Sequence, residues 1–547
     1  MNPVSRRRFL QGVATLGATA ATTRFASAAM PAGAAAAEAT AIEKEAAAFA
    51  NPLRLPGASG LYGVTRAADL SEVRVIRTEI EVLPGKRTPY LAYAAESGGK
   101  QFLNPALLAK RGDEIRVRMA NQLDEPTIIH WHGLTNDARN DGTGLYLAEP
   151  GKAYEYAFKI QDRASMYFYH PHPHGYIPGQ VYNGLASLLF VEDEEEAALR
   201  SALDLALGET EIPLVLQDRN FDAQGRLQYK MSREEMFQGF IGERLLVNLT
   251  ERPLITVARR IYRFRILNGS NARTYLLAFL QGGRRLGYFL AGTDGGLLAA
   301  AQRVEQTFIS PGQRLDILLD LREAKVDRPV ALATLRFDPM HAEGAGSDSM
   351  AGMDHGKMGA QKAPAMAMPG MAMEGEPRAL LRIDVKSAHA YARKVPATLS
   401  KLPPAKAPAG APRRIKLAQD SKGKWTINGQ VYDPKTNALT VKRGAAESWL
   451  IENERASMPH PMHIHGFQFR VLERRGSPAQ VRALAGAHGL LPQDLGLIDT
   501  VHVWPGESAR VAFDFSHPYS GDQDYVFHCH NLEHAELGMM IRYRVTA

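Results

Sequence analysis

Tyr154-Glu155-Tyr156-Ala157-Phe158-Lys159-Ile160 sets large apolar side chains at every second position, with charges or a small residue between them. Successive side chains of an extended segment point to opposite faces, so this stretch reads as a strand with one face buried. The same period of two recurs at Val73 and Val75, Ile80 and Val82, Ile115-Val117-Met119, Tyr262-Phe264-Ile266, and Val511-Phe513-Phe515. Helical periodicity is confined to a short piece over Glu194–Ala206, and the Ala-rich, Glu-spotted residues 30–50 read as a loose lead-in. Many short strands in 547 residues, at about 100–200 residues per domain, predict an all-β chain of sandwiches in series.

Two stretches interrupt the pattern. Residues 339–377 are of low complexity and carry eight methionines (Met340, Met350, Met353, Met358, Met366, Met368, Met371 and Met373) with His341 and His355. Residues 386–410 are rich in Pro, Ala and Lys and read as a semi-rigid linker. The predicted domains are therefore 50–195, 205–385 with the methionine-rich insert 339–377, and 411–547.

The front end reads as an address. Ser5-Arg6-Arg7-Arg8-Phe9-Leu10, a mildly apolar middle and Ala26-Ser27-Ala28 make a signal peptide over residues 1–28. Its paired arginines followed by Phe-Leu resemble the twin-arginine export signal, which predicts a periplasmic protein. The middle falls short of the roughly 20 strongly apolar residues of a membrane anchor. Setting aside Arg6, Arg7, Arg8 and Arg24 lowers the formal charge from +7 to +3, too little to argue for nucleic acid or an anionic membrane. A monomer is the expected form.

Histidine carries the chemistry. Of 17 histidines, 11 fall into four clusters: His130-Trp131-His132, His170-Pro171-His172-Pro173-His174, His460-Pro461-Met462-His463-Ile464-His465, and His528-Cys529-His530 with His534. Residues i and i+2 of a strand project from one face about 7 Å apart, so each His-x-His pair can serve one metal or two adjacent ones. Imidazole alone does not choose among copper, zinc, iron and nickel. The single cysteine excludes an internal disulfide and a Cys-based zinc cage. Cys529 points away from its two His neighbours and needs its own partners, for which His460, His534 and Met539 are available. Two imidazoles, a thiolate and a weak thioether make a blue, electron-transferring copper site. The clusters lie in the first and third segments and the middle one holds none, so the metal must sit between parts distant in sequence. Flanked by Pro173 and Gly175, His174 reads as a turn residue with a supporting role.

At these residues the chain resembles the multicopper oxidases, across essentially all of its mature length, through H-W-H-G, H-P-H, H-P-x-H-x-H-G and H-C-H-x3-H-x4-M in the family's order. The resemblance implies three cupredoxin-like Greek-key sandwiches and four copper ions. It implies type 1 ligands His460, Cys529, His534 and Met539; type 2 ligands His130 and His463; and type 3 ligands His132, His170, His172, His465, His528 and His530. It further implies four one-electron oxidations of a reducing substrate coupled to the reduction of O2 to water, with Asp141 as a proton relay. Some relatives place a second acid directly after the last type 1 histidine; here that position is Ala535 and the acid is Glu536.

Thioethers are soft ligands that favour Cu(I), and the methionine-rich insert resembles that of copper-tolerance cuprous oxidases. The expected reductant is Cu(I) and/or small phenols. One departure is that Ala456-Ser457-Met458-Pro459 stands where those relatives carry an Asp that holds substrate copper. The alternatives are a laccase-like phenol or bilirubin oxidase without a dedicated copper role and, more distantly, a non-enzymatic periplasmic copper-binding protein.

Overall fold

The computed structural model describes residues 32–341, 373–386, 390–402 and 404–547. The signal segment 1–28 and positions 342–372 of the methionine-rich insert lie outside the described residues. The alternating segments form six sheets, of six and five, seven and seven, and five and five strands in chain order of their domains. Each pair of sheets encloses its own apolar core. Val75, Val117, Trp131 and Tyr167 are central to the first, Phe264, Phe279 and Leu332 to the second, and Trp449, Phe513 and Phe527 to the third.

One crossover recurs in all three sandwiches. Glu72–Glu81 lies parallel to Glu114–Asn121, Glu211–Arg219 to Ile261–Asn268, and Arg413–Gln419 to Ala446–Asn453. Parallel neighbours cannot be joined by a tight hairpin, and in each sandwich the last intervening strand, Ala106–Lys110, Pro253–Val257 or Asn437–Lys442, lies in the opposite sheet, as a Greek key requires.

The lead-in differs from its sequence reading. Ala32–Ala47 is a helix, not a loose segment, and buries Ala39, Ile42 and Ala46 against strands of the second sandwich. Alanine has the highest helix propensity, and small side chains let the helix lie close on the sheet without a marked apolar stripe. Glu43 accepts the amides of Gly282 and Gly283 at 3.1 and 2.8 Å, which pins it further. The predicted helical piece runs over Glu194–Leu203, with the Asp193 carboxylate accepting the Glu196 amide at 2.9 Å as N-cap. The Pro-rich connector lies against the second sandwich. Leu399 and Leu402 are buried, and Ser400 donates to the carbonyls of Leu297 and Leu298 at 3.0 Å.

Candidate metal centres

Strand pairing gathers the histidines before any metal does. Ile129–His132 runs antiparallel to Ser165–Pro171 with His130 opposite His170. In the third sandwich His460–Ile464 pairs with Gln523–Cys529, placing His463 opposite His528 and Met462 opposite Cys529. The period of two sends His528 out of the sandwich and Cys529 into its core beside Met462. The two pairs of strands then meet at the junction of the first and third sandwiches.

There, ring nitrogens converge. His172 Nε2 and His465 Nε2 lie 3.2 and 3.1 Å from His528 Nε2. His130 Nε2 is 3.4 Å from His463 Nε2, and His132 Nδ1 is 3.4 Å from His170 Nε2. His172 apart, the far nitrogen of each of these rings donates to an oxygen. His465 Nδ1 reaches Asp141 Oδ2 at 2.7 Å, and His130 Nδ1 reaches the Asp141 carbonyl at 2.7 Å. His463 Nδ1 and His528 Nδ1 reach the carbonyls of Asp499 and Cys529, both at 2.9 Å. His170 Nδ1 reaches the Pro171 carbonyl at 3.1 Å, and His132 Nε2 reaches Asp499 Oδ1 at 2.9 Å.

A carbonyl can only accept, so the outer nitrogens carry the protons and the inner ones present lone pairs to one another. Facing lone pairs repel unless a cation lies between them. His530, edge-on to His132 at 5.0 Å between ring centres, has no hydrogen-bond partner on either nitrogen although it is buried. Burial first, then neighbouring imidazoles, hold His132, His172 and His465 well below the ordinary histidine range, in the neutral form that binds metals. These donors fit copper ions.

The second centre lies on the other side of the same strand. Cys529 Sγ is 3.6 Å from both His460 Nδ1 and His534 Nδ1, which are themselves 3.1 Å apart. His460 Nε2 meets Ser457 Oγ at 3.2 Å, and His534 Nε2 donates to the Phe237 carbonyl at 2.9 Å. Phe237, in the helix Arg233–Gln238, stacks on Trp425 with ring centres 4.7 Å apart and so roofs the site. Burial pushes the Cys529 thiol up, so its thiolate requires a bound cation. Met539 is fully buried, and its amide and carbonyl are clipped to His534 and Cys529 at 2.9 and 3.0 Å.

Asp141 closes a short helix and precedes Gly142, whose φ is +85° and where a Cβ would stand 1.8 Å from the Ile129 carbonyl oxygen. That tight turn lets one residue engage two imidazoles, and Asp141 Oδ1 remains without a hydrogen-bond partner. Glu536 accepts the amides of Gly175 and Ile177 at 2.7 and 3.1 Å and lies 3.5 Å from His174 Nδ1. Burial pushes its carboxyl up to about 7. His174 is half-exposed, packs edge-on against Tyr432, and stands apart from the converging nitrogens.

Sequence reading missed Asp499, Arg314 and Glu533. Asp499 contacts both His132 and His463, and Glu533, next to His534, accepts from Tyr229 Oη at 2.6 Å and Asn271 Nδ2 at 2.8 Å. Each lies outside the His-x-His motifs; only its neighbours in space reveal it.

Family profiles described as multicopper oxidase match residues 90–196 and 406–547. The multicopper oxidase mco of Staphylococcus haemolyticus is 30% identical over 449 residues, covering 81% of this chain and 82% of that protein. The laccase of Bacillus subtilis is 28% identical over 80% of this chain and 88% of its own. The crystal structure of the McoA multicopper oxidase of Aquifex aeolicus superposes with a TM-score of 0.77 at 36% identity, covering 91% of this chain and 99% of that one. With its strand-built imidazole cluster and its buried cysteine between two imidazoles, the chain belongs to the multicopper oxidases.

Proposed function

We propose that the protein is a four-copper oxidase coupling the one-electron oxidation of Cu(I), and of electron-rich phenols, to the reduction of O2 to water, in the service of copper tolerance. The observation that carries this reading is the position of Cys529. Its thiol belongs to the His460–His534 site, while its backbone neighbours His528 and His530 belong to the imidazole cluster. In this reading His460, Cys529, His534 and Met539 hold the type 1 ion, and His130 and His463 the type 2 ion. His132, His170 and His530 hold one type 3 ion and His172, His465 and His528 the other. Bound copper supplies one-electron acceptance at the thiolate site and multi-electron delivery to dioxygen at the cluster.

The chain supplies the rest. Cys529 joins the two sites through two covalent neighbours and through the His528 Nδ1 hydrogen bond to the Cys529 carbonyl at 2.9 Å. The Phe237–Trp425 roof keeps bulk water from the thiolate. Asp141, with one oxygen on His465 and the other free of protein partners, holds and passes protons at the cluster. Residues 1–28 support export to the periplasm. Among the described residues no helix is long and apolar enough to cross a membrane.

Cys529→Ser tests the wiring. The variant is expected to lose the thiolate–copper absorption and steady-state oxygen uptake while its imidazole cluster still retains copper. Oxygen uptake at the parent's rate would overturn the reading. A laccase-like role without copper specialisation is the second reading, favoured by the similarity to laccase; parallel assays with Cu(I) and a phenol decide between them.

A further inference from the structure

A cavity of about 300 Å³ opens where the three sandwiches meet, and none of the candidate metal ligands lines it. Its walls come from the helix Ile177–Tyr182 of the first, the segment 229–236 of the second and the helix Leu532–Glu536 of the third. Tyr176 and Met236 stand at its rim, 43% and 42% exposed, two of only four large apolar side chains so exposed among the described residues. Met231 and Tyr229 carry the apolar wall inward. The volume lies at the lower end of ligand pockets and suits one aromatic ring with a short side chain. Thioethers and aromatic faces adapt readily to such a ring.

The polar groups choose the charge of the occupant. Glu125, Glu533 and Glu536 line the cavity, and among the described residues no lysine, arginine or histidine does. Arg77 answers Glu125 from outside at 3.3 Å. Glu536 and Glu533 take their hydrogen bonds from backbone amides, a phenol and an amide side chain, and the half-exposed His174 comes no closer to Glu536 than 3.5 Å. The neighbouring donors are turned to the protein: Tyr229 Oη to Glu533 at 2.6 Å, Gln180 Nε2 to the Pro126 carbonyl at 2.9 Å, and Asn183 Nδ2 to the Gly179 carbonyl at 2.8 Å. A carboxylate oxygen accepts more than one hydrogen, so the cavity offers acceptors and the ligand must bring donors. An ammonium ion does so, gains from the tyrosine faces, and is favoured over an anion by the carboxylates.

We propose that this cavity binds a small aromatic ammonium ion as an effector, with its ring among Tyr176, Met231 and Met236 and its ammonium group toward Glu536. The effect reaches the thiolate site through the cavity's own walls. Glu533 precedes His534 in one helix, and Met236 precedes Phe237, whose carbonyl accepts from His534 Nε2 at 2.9 Å. The helix Arg233–Gln238 has no fully buried residue, so an occupant that ties Met231 and Met236 to the other two sandwiches changes how firmly the Phe237 roof is seated. The effector gives up no electron, which sets it apart from the reductant.

Gly179 supplies a plug. It lies in a helix, it lines the cavity, and a Cβ there would meet nothing within 4 Å, so Gly179→Phe fills the space without straining the backbone. Benzylammonium, a redox-inert probe, is titrated calorimetrically into the copper-loaded, oxidised enzyme beside benzyl alcohol and benzoate. The parent is expected to bind one benzylammonium, and the neutral and anionic probes at least about tenfold more weakly. Gly179→Phe, which fills the cavity, and Met236→Lys, which sets a cation at its rim, should each weaken benzylammonium by at least about tenfold. Retained thiolate–copper absorption shows that both variants are folded. At saturation that absorption is expected to shift in the parent and to stay in place in Gly179→Phe. Equal binding of the three probes, or undiminished binding in either variant, overturns the site. An unmoved absorption at saturation, or bleaching that marks the amine as a reductant, overturns the effector role. None of these outcomes depends on whether the enzyme oxidises Cu(I) or phenols, so the inference and the proposed function fail separately.

Discussion

Arg314, in a strand of the second sandwich, grips Asp499 of the third with two guanidinium nitrogens, 2.9 Å to Oδ1 and 2.5 Å to Oδ2. The same Oδ1 accepts the proton of His132 Nε2 from the first sandwich, and the Asp499 carbonyl accepts that of His463. The Arg314 amide in turn donates to Asp294 Oδ1 at 2.7 Å. The middle sandwich lends the imidazole cluster no ligand, yet it anchors the carboxylate that orients two of them. The Arg314 guanidinium holds Asp499 well below the usual carboxylate range against the opposing effect of burial.

Arg314→Lys keeps the charge but cannot chelate both oxygens. Copper in the imidazole cluster is expected to become about 10- to 100-fold easier to strip, while the thiolate–copper absorption persists. Copper counts and electron paramagnetic resonance after challenge with a chelator measure both. Equal retention in parent and variant would refute an orienting role.

Asp141→Asn separates holding from proton delivery. An amide oxygen can still accept from His465 Nδ1, so copper content should be preserved. Turnover is expected to fall by about 10²-fold or more, as for loss of a general acid. The thiolate-site copper should then stand reduced, and bleached, during steady-state turnover. Full activity with an unchanged pH profile would point to a merely structural carboxylate.

The ligand imidazoles make the copper-free protein acid-sensitive. His534 and His502 are held at about 3 in the folded state, and His172 and other cluster members are also depressed. The folded protein then binds fewer protons than the unfolded chain between about pH 3 and 6.5, so stability falls as pH drops through that window. The slope is about 1.4 kcal/mol per pH unit for each proton difference. Asp294 and Glu536, raised to about 7, act in the opposite sense, losing stability as pH rises toward 7, but the depressed imidazoles outnumber them. Thermal melts of copper-free protein from pH 7 down to 4 should show a falling midpoint; a rising one would mean that the acids dominate.

Arg263 of the second sandwich is buried between Glu196, Glu211 and Asp316. Arg263→Met strands these carboxylates and is expected to cost about 3–5 kcal/mol. Denaturant unfolding reads this directly, and a change under about 1 kcal/mol would show that water relieves the stranded acids.

The sandwiches and both centres are legible because their signals are local. A strand writes its burial every second residue, and His-x-His puts two ligands on one face at a fixed spacing. The clamp on the cluster is not local: Asp499 and Arg314 are 185 residues apart, and each alone reads as an ordinary charged residue beside a strand. The helix Ala32–Ala47 escaped because alanine packs closely without the strong apolar stripe by which a helix is usually read.

Dividing the imidazoles between the first and third sandwiches also fixes an order of events. Until residues 528–534 are made and seated, the chain has neither a thiolate site nor a complete cluster. On the proposed reading the copper complement can be completed only once this segment is seated, and a chain cut short before Cys529 would lack the thiol that joins the two centres.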